Sequence, residues 1–228
     1  MKIEKFSFIF LVGGIVSFAL AFVTLVASPW WMFNSVPMAT VEQLAETPDE
    51  YFVQMAERYP EEFQKAFGTT DAQGYAKALR LGRDVYVAEA CWHCHSQYVR
   101  PVSNEDQRFG PVSTPTEYQN ELQLPQLFGT RRVGPDLIRV GGKYDNTWHF
   151  DHLKNPPAVV EGSVMPKYTW LFNADGKPNA KGLALVAYLQ WLGTWPRVEG
   201  TQEDWAEESS ETPEQQQTEM KQGGEATQ

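Results

Sequence analysis

The longest apolar pattern in the chain lies at its N-terminus. "FSFIFLVGGIVSFALAFVTLVA", Phe6–Ala27, runs 22 residues without a charge or a proline. A helix of that length rises about 33 Å, enough to cross a hydrocarbon core of about 30 Å. Lys2 and Lys5 precede it, and Trp30 and Trp31 follow it in "SPWW". By the positive-inside rule the lysines stay cytoplasmic and the tryptophans sit in the opposite interface. A cleaved signal peptide is the alternative, because "VAS" near Ser28 loosely resembles a cleavage site. A signal h-region, however, spans only about 7–15 residues. The pattern predicts a retained anchor over residues 1–33, with the bulk of the chain outside the cytoplasm.

Beyond the anchor the pattern becomes helical and interrupted. Residues 34–70 read as a helical insert, with Thr47 as N-cap, Pro48 at the first helical position and Glu50 at N3. Tyr51, Phe52, Met55 and Tyr59 follow near helical spacing, and Pro60 opens a second short turn that closes by Gly68. This insert reads as a spacer or as a docking arm for a partner subunit. Asp71 predicts the cap of a longer helix, whose face carries Tyr75, Leu79 and Tyr86, with Gly82 as a flat spot for close packing. Ser103–Gly129 is rich in Pro, Gln, Thr and Glu and reads as a loop, of the length that is usually functional or mobile. "DNTWHFDHLKNP" predicts a short helix capped by Asp145 or Asn146 and stopped near Pro156. Ala180–Leu192 is the clearest amphipathic helix, with Leu185, Tyr188, Leu189 and Leu192 at i, i+3, i+4 and i+7. No strand alternation is visible, so the fold class is all-α.

Composition changes this picture at one end. The 228 residues carry a net charge of −10. From Glu199 onward nine acidic residues face one lysine, so this tail holds −8 and the rest only −2. Residues 199–228 therefore read as a disordered acidic tail. The remainder gives no electrostatic reason to expect nucleic-acid binding. Residues 71–198 are left as one modest globular domain.

That domain holds both cysteines of the chain, Cys91 and Cys94, with His95 directly after the second. Thiol–disulfide exchange, zinc binding and covalent haem attachment all use such a cluster. Exchange would need a βαβ sheet around the motif, and none is predicted. A structural zinc site needs four ligands, which only His149 and His152 could complete. Haem attachment uses every element: two thiols form thioethers to the two vinyl groups, and the adjacent imidazole reaches the iron.

The sixth iron ligand follows by elimination. Met1, Met32 and Met38 sit at or just after the anchor, Met55 in the insert and Met220 in the tail, which leaves Met165 in "SVMPKYTWL". His149 and His152, three apart on one helix, offer a distal histidine instead or serve in structural hydrogen bonding. His93 reads as exposed and passive. In "RVGPDL" the Pro135 carbonyl can accept from the ring N–H of His95, or the segment is a plain turn. The haem propionates need cationic or hydroxyl partners, for which Arg100, Arg132, Arg139, Tyr168 and Trp170 are candidates. His/Met ligation fills both axial positions, so such an iron passes electrons and binds no substrate.

"GRDVYVAEACWHCHSQYVRPV", "RRVGPDLIRVGGKY", "WHFDHLKNP" and "SVMPKYTWL" together resemble the mono-haem subunit (subunit II) of cbb3-type cytochrome c oxidases. The likeness covers the anchor and about Leu81 to Leu171. It implies one N-terminal span in the inner membrane and a class I cytochrome c domain on the periplasmic side. In that domain Gly82 and Tyr86 would pack against the Tyr188–Trp191 helix. It carries the haem ligands onto Cys91, Cys94, His95 and Met165. It also implies a relay of electrons from a di-haem subunit or a soluble cytochrome c to the haem-copper catalytic subunit, without a catalytic acid, base or nucleophile here. The insert and the tail depart from the family's usual pattern. A nitric oxide reductase cytochrome subunit, a stand-alone carrier, a haem enzyme or sensor with an open axial site, and a structural assembly subunit are the rival readings.

Overall fold

A computed structural model describes residues 3–34 and 36–195; Lys2, the side chain of Lys5 and the tail from Glu199 lie outside the described residues. The chain divides after Met38 into two compact units.

The first unit is helical throughout. Helices α1 (Ile3–Phe22) and α2 (Ser28–Phe33) are joined by one π-helical turn, Val23–Ala27. Pro29 explains that turn: it has no N–H for the ladder and its ring crowds the preceding carbonyls. The Ser28 N–H reaches back five residues to the Val23 oxygen instead. Phe6–Phe33 is the one helix among the described residues that is long and apolar enough to cross a membrane, and none of it is buried against protein. The chain is thus membrane-anchored through its N-terminus.

The second unit begins with α3 (Val41–Leu44), closed by a capping box between Thr40 and Gln43. In α4 (Glu50–Arg58) the cap differs from the sequence expectation. Asp49, not Thr47, accepts the Tyr51 N–H at 2.5 Å, so Pro48 stands outside the helix. The carboxylate next to the first turn is the better acceptor for orphan N–H groups there. After α5 (Pro60–Ala66), the rings of Phe63 and Tyr75 each lie 4.8 Å from Phe52. Residues 39–70 therefore share a core with the rest of this unit.

Asp71 caps α6 (Ala72–Ala88) as the sequence predicts, accepting from the Gln73 and Gly74 N–H groups at 3.0 Å each. Ala90, in the left-handed region at φ 57°, turns the chain into α7 (Cys91–Cys94). The Ser103–Gly129 segment is less irregular than its composition suggests. It contains α8 (Glu105–Phe109) and two 3-10 turns, Pro115–Tyr118 and Glu121–Gln123. Asp145 caps α9 (Asn146–Lys154), and α10 (Pro156–Val159) follows directly. The chain closes with α11 (Ala180–Trp191), capped by Asn179. No β-strand occurs among the described residues, only isolated bridges pairing Ala39 with Asn120 and Phe172 with Pro178.

The amphipathic stripe read on α11 understates its burial: every residue from Gly182 to Leu192 is buried. It crosses α6 at Gly82, where an added Cβ would lie 2.1 Å from the Ala184 carbonyl oxygen and 2.6 Å from the Tyr188 Cβ. Gly82 and Tyr86 do face this helix, and the Tyr86 and Tyr188 rings sit 5.7 Å apart.

Gly82→Val sets two effects against each other. Leaving glycine gains up to about 1 kcal/mol of backbone entropy, whereas overpacking costs about 1–3 kcal/mol. Because a backbone carbonyl cannot rotate away, the clash wins and a net loss of about 1–2 kcal/mol is expected. Denaturant unfolding of the purified protein measures it; an unchanged midpoint would contradict the crossing.

Candidate functional site

Helices α6, α7, α9 and α11, with the loops 133–144 and 160–168, enclose a cavity of about 530 Å³. That falls within the range of small-molecule and cofactor sites, roughly 300–1,000 Å³. Cys91, Cys94 and His95 line it, together with Pro135, Arg139, Met165 and Tyr168, and its walls are otherwise mainly apolar, with Leu185 and Leu189 supplied by α11.

The two thiols differ. Cys94 is exposed, whereas Cys91 is buried, and that burial pushes its thiol up to about 12. Disulfide exchange needs an accessible thiolate. A protonated, buried first cysteine is the reverse of that requirement. Zinc fares no better, because no group of three or more His, Cys, Asp or Glu side chains comes together among the described residues.

The His95 ring is held at one nitrogen. Burial lowers its pKa, and its Nδ1 lies 2.8 Å from the Pro135 carbonyl oxygen. A carbonyl only accepts, so Nδ1 carries the proton and Nε2 keeps its lone pair. The loop reaches the ring only because residue 134 is glycine, since a Cβ there would stand 2.3 Å from the ring Cε1. Two backbone bonds fasten this loop to α7, from the Val133 and Gly134 N–H groups to the Cys94 oxygen at 3.0 Å each. Tyr86 Oη donates to the His95 carbonyl at 3.2 Å. His93 is exposed and sits 2.8 Å from the Thr130 hydroxyl.

Met165 lies on the 160–167 loop, half-buried, and is fixed from both sides. Its N–H donates to Ser163 Oγ at 3.3 Å, and the Tyr168 N–H ties the loop to the Leu153 oxygen of α9 at 2.9 Å.

The five propionate candidates separate. Arg139 and Tyr168 line the cavity; Arg100, Arg132 and Trp170 do not. Arg132 is taken up by Glu105, by Ser96 Oγ at 2.5 Å and by the Tyr98 oxygen at 2.6 Å. Arg100 Nε pairs with Glu105 at 2.8 Å. Trp170 is 52% exposed and rests edge-on against Tyr168. Arg139 Nη2 binds both carboxylate oxygens of Glu117 at 2.8 and 2.9 Å, while its Nε and Nη1 are buried without a partner. His149 and His152 also line the cavity, and neither His149 Nε2 nor His152 Nδ1 has a hydrogen-bond partner.

Sequence reasoning missed the buried carboxylates Glu105, Glu117 and Asp136. Asp136 accepts from Ser96 Oγ at 2.6 Å, the Tyr98 N–H at 2.8 Å and the Ile138 N–H at 2.9 Å. It thereby pins the loop that carries Pro135. Nothing local marks Glu117, whose partner Arg139 stands 22 positions along the chain; Glu105 has one arginine partner near, Arg100 five positions before it, and one far, Arg132 27 positions after it.

A cavity of cofactor size, two thiols beside a lone-pair nitrogen, and buried donors without partners together fit a haem. The model of the family described as cytochrome c oxidase, mono-heme subunit/FixO matches residues 56–181. The chain belongs to this family. It is therefore a cytochrome c oxidase mono-haem subunit serving electron transfer, of the kind found in cbb3-type oxidases. The match starts inside α4 and takes in the cavity wall from Tyr86 to Tyr168. No curated protein matches the chain.

Burial raises the Glu105 carboxyl, but hydrogen bonds from Arg132 and Arg100 outweigh it and bring it from 4.5 to about 2. A carboxylate held low in the fold stabilises it above its unfolded pKa, and loses that contribution as pH falls through the folded value. Glu105→Gln should therefore be less stable than the parent at pH 7. The gap should close between about pH 4.5 and 2, which thermal unfolding across that range would read; a gap independent of pH would contradict the pairing.

Proposed function

We propose that the cavity binds one haem c through thioethers to Cys91 and Cys94, with His95 and Met165 as axial ligands. The observation that carries this is the His95 ring, neutral, oriented by the Pro135 carbonyl and offering Nε2 beside both thiols. When bound, the haem supplies one-electron chemistry, and His/Met ligation raises its potential and leaves no axial position for substrate. Of the candidate propionate partners we retain Arg139 and Tyr168, which line the cavity.

The subunit then passes electrons, received from a di-haem cytochrome subunit or a soluble cytochrome c, to the haem-copper subunit of a cbb3-type oxidase. The haem domain would lie on the periplasmic side of the inner membrane. Family membership and the N-terminal helix long and apolar enough to span a membrane support this arrangement.

Met165→Ala should leave the haem attached and lower its midpoint potential. The reduced-to-oxidised ratio at fixed poise should fall at least tenfold, about 59 mV for one electron. An unchanged potential would place the sixth ligand elsewhere.

Mild-detergent purification of the tagged chain from its native membranes tests the wider reading. Co-purification of a multi-span haem-copper subunit that consumes oxygen with reduced cytochrome c is the expected result. Turnover of nitric oxide but not oxygen would assign the chain to a reductase instead. Recovery of the chain alone would leave a stand-alone carrier.

A further inference from the structure

His149 is 4% exposed on α9, lines the cavity, and carries a buried Nε2 with no partner in the protein. Such a nitrogen calls for an explanation, because buried polar groups are normally satisfied. Its ring is not free to search for one. The Trp148 ring meets it edge-on at 5.3 Å and the Tyr144 ring at 6.2 Å. A fixed ring with an unsatisfied nitrogen is the arrangement of a binding group awaiting its ligand.

Arg139 also lines this cavity, and its Nε and Nη1 are buried without a partner. An arginine has donors only, so whatever satisfies it must be an acceptor. Glu117 already holds the Nη2 edge, so the remaining donors take an acceptor without leaving the cation uncompensated. A carboxylate meets both needs, accepting from Arg139 and from a neutral imidazole N–H.

We infer that His149 donates a hydrogen bond from Nε2 to a carboxylate of the bound haem and thereby helps set its potential. This rests on the haem reading above. The burial that pushes His149 down to about 4 agrees with it, since the ring then meets the carboxylate as a neutral donor near pH 7. A carboxylate whose charge is drawn into a hydrogen bond disfavours reduction of the iron less than a bare one does. Loss of the donor therefore lowers the potential.

The test is a spectroelectrochemical titration of the full-length, haem-loaded protein at pH 7, with His149→Phe and His149→Gln. For His149→Phe the haem should remain covalently attached and the methionine–iron charge-transfer band should persist. The reduced-to-oxidised ratio at fixed poise should drop about tenfold, or 59 mV for one electron. His149→Gln keeps a side-chain N–H and should recover more than half of that shift. An unchanged potential in His149→Phe would overturn the inference, as would equal shifts in both variants, which would mean packing alone. Loss of the charge-transfer band would make His149 an iron ligand and overturn it too. Should His149→Phe fail to load haem, His149→Leu, smaller and equally without a donor, takes its place under the same criteria. Normal covalent loading of Cys94→Ala would instead sink the haem-attachment reading, so the two failures are distinct.

Discussion

The contact on which the cavity depends is the approach of α6 to α11 at Gly82. There is no room for a Cβ between that residue and the Ala184 carbonyl. The close crossing brings Leu185 and Leu189 of α11 to one wall of the cavity, and carries the end of α6 to the turn before Cys91. Tyr86 and Tyr188 then stabilise the segment just after the cysteines. One donates to the His95 carbonyl and the other to Gln97 Oε1 at 3.2 Å. A wider crossing would separate the thiols from the helix that walls the same cavity. A single missing methyl group thus fixes the geometry of a site several residues away.

Charge is arranged around the site so that Arg100, Arg132 and Arg139 each have a carboxylate partner. Glu105 gathers Arg100 and Arg132, Asp136 binds the loop from beneath, and Glu117 holds one edge of Arg139. Buried charges are tolerable only when paired and hydrogen-bonded. Pairing explains why two of these carboxylates, Glu105 and Glu117, can lie buried within a segment whose composition reads as a loop. Their structural task is to fix the loop over His95, so the Pro135 carbonyl meets the ring at one place. Of the arginines proposed for an anionic ligand, only Arg139 keeps buried donors in a residue that lines the cavity.

How much of this was legible in the sequence depends on the range of the interactions involved. Asp71 and Asp145 act on N–H groups two or three residues away, and both caps were readable. So was α11, whose apolar run has helical spacing. Thr47 was misread because two competing caps stand two residues apart, and only the path of the chain selects Asp49. The Glu117–Arg139 and Glu105–Arg132 pairs were not legible, since partners 22 or 27 positions apart leave no periodic trace. Likewise, five polar residues suited a haem carboxylate by type, but only burial and lining separate Arg139 and Tyr168 from the others. The juxtaposition of Cys91, Cys94 and His95 needed no such help, because the three lie within five positions of one another.

The insert acts on the site through α9. Asn146 Nδ2 donates to the Tyr51 oxygen at 2.8 Å, Arg58 Nη1 to Thr147 Oγ1 at 2.6 Å, and the Tyr59 and Phe150 rings meet edge-on at 5.6 Å. From the other side, Gln190 of α11 donates to the Tyr144 oxygen at 2.9 Å and to Asn146 Oδ1 at 3.2 Å. Helix α9 is only nine residues long, too short to be stable by propensity alone. It is held between the insert and α11, and it carries His149, His152 and Leu153 to the cavity. Aromatic pairs of this kind contribute about 0.5–1.5 kcal/mol beyond their buried area. Residues such as Tyr51 and Phe52, which precede the family match, therefore act on the cavity without touching it. Loosening them would free the wall that carries His149 before it disturbed the cysteines or His95, which are anchored through α6 and the 133–138 loop.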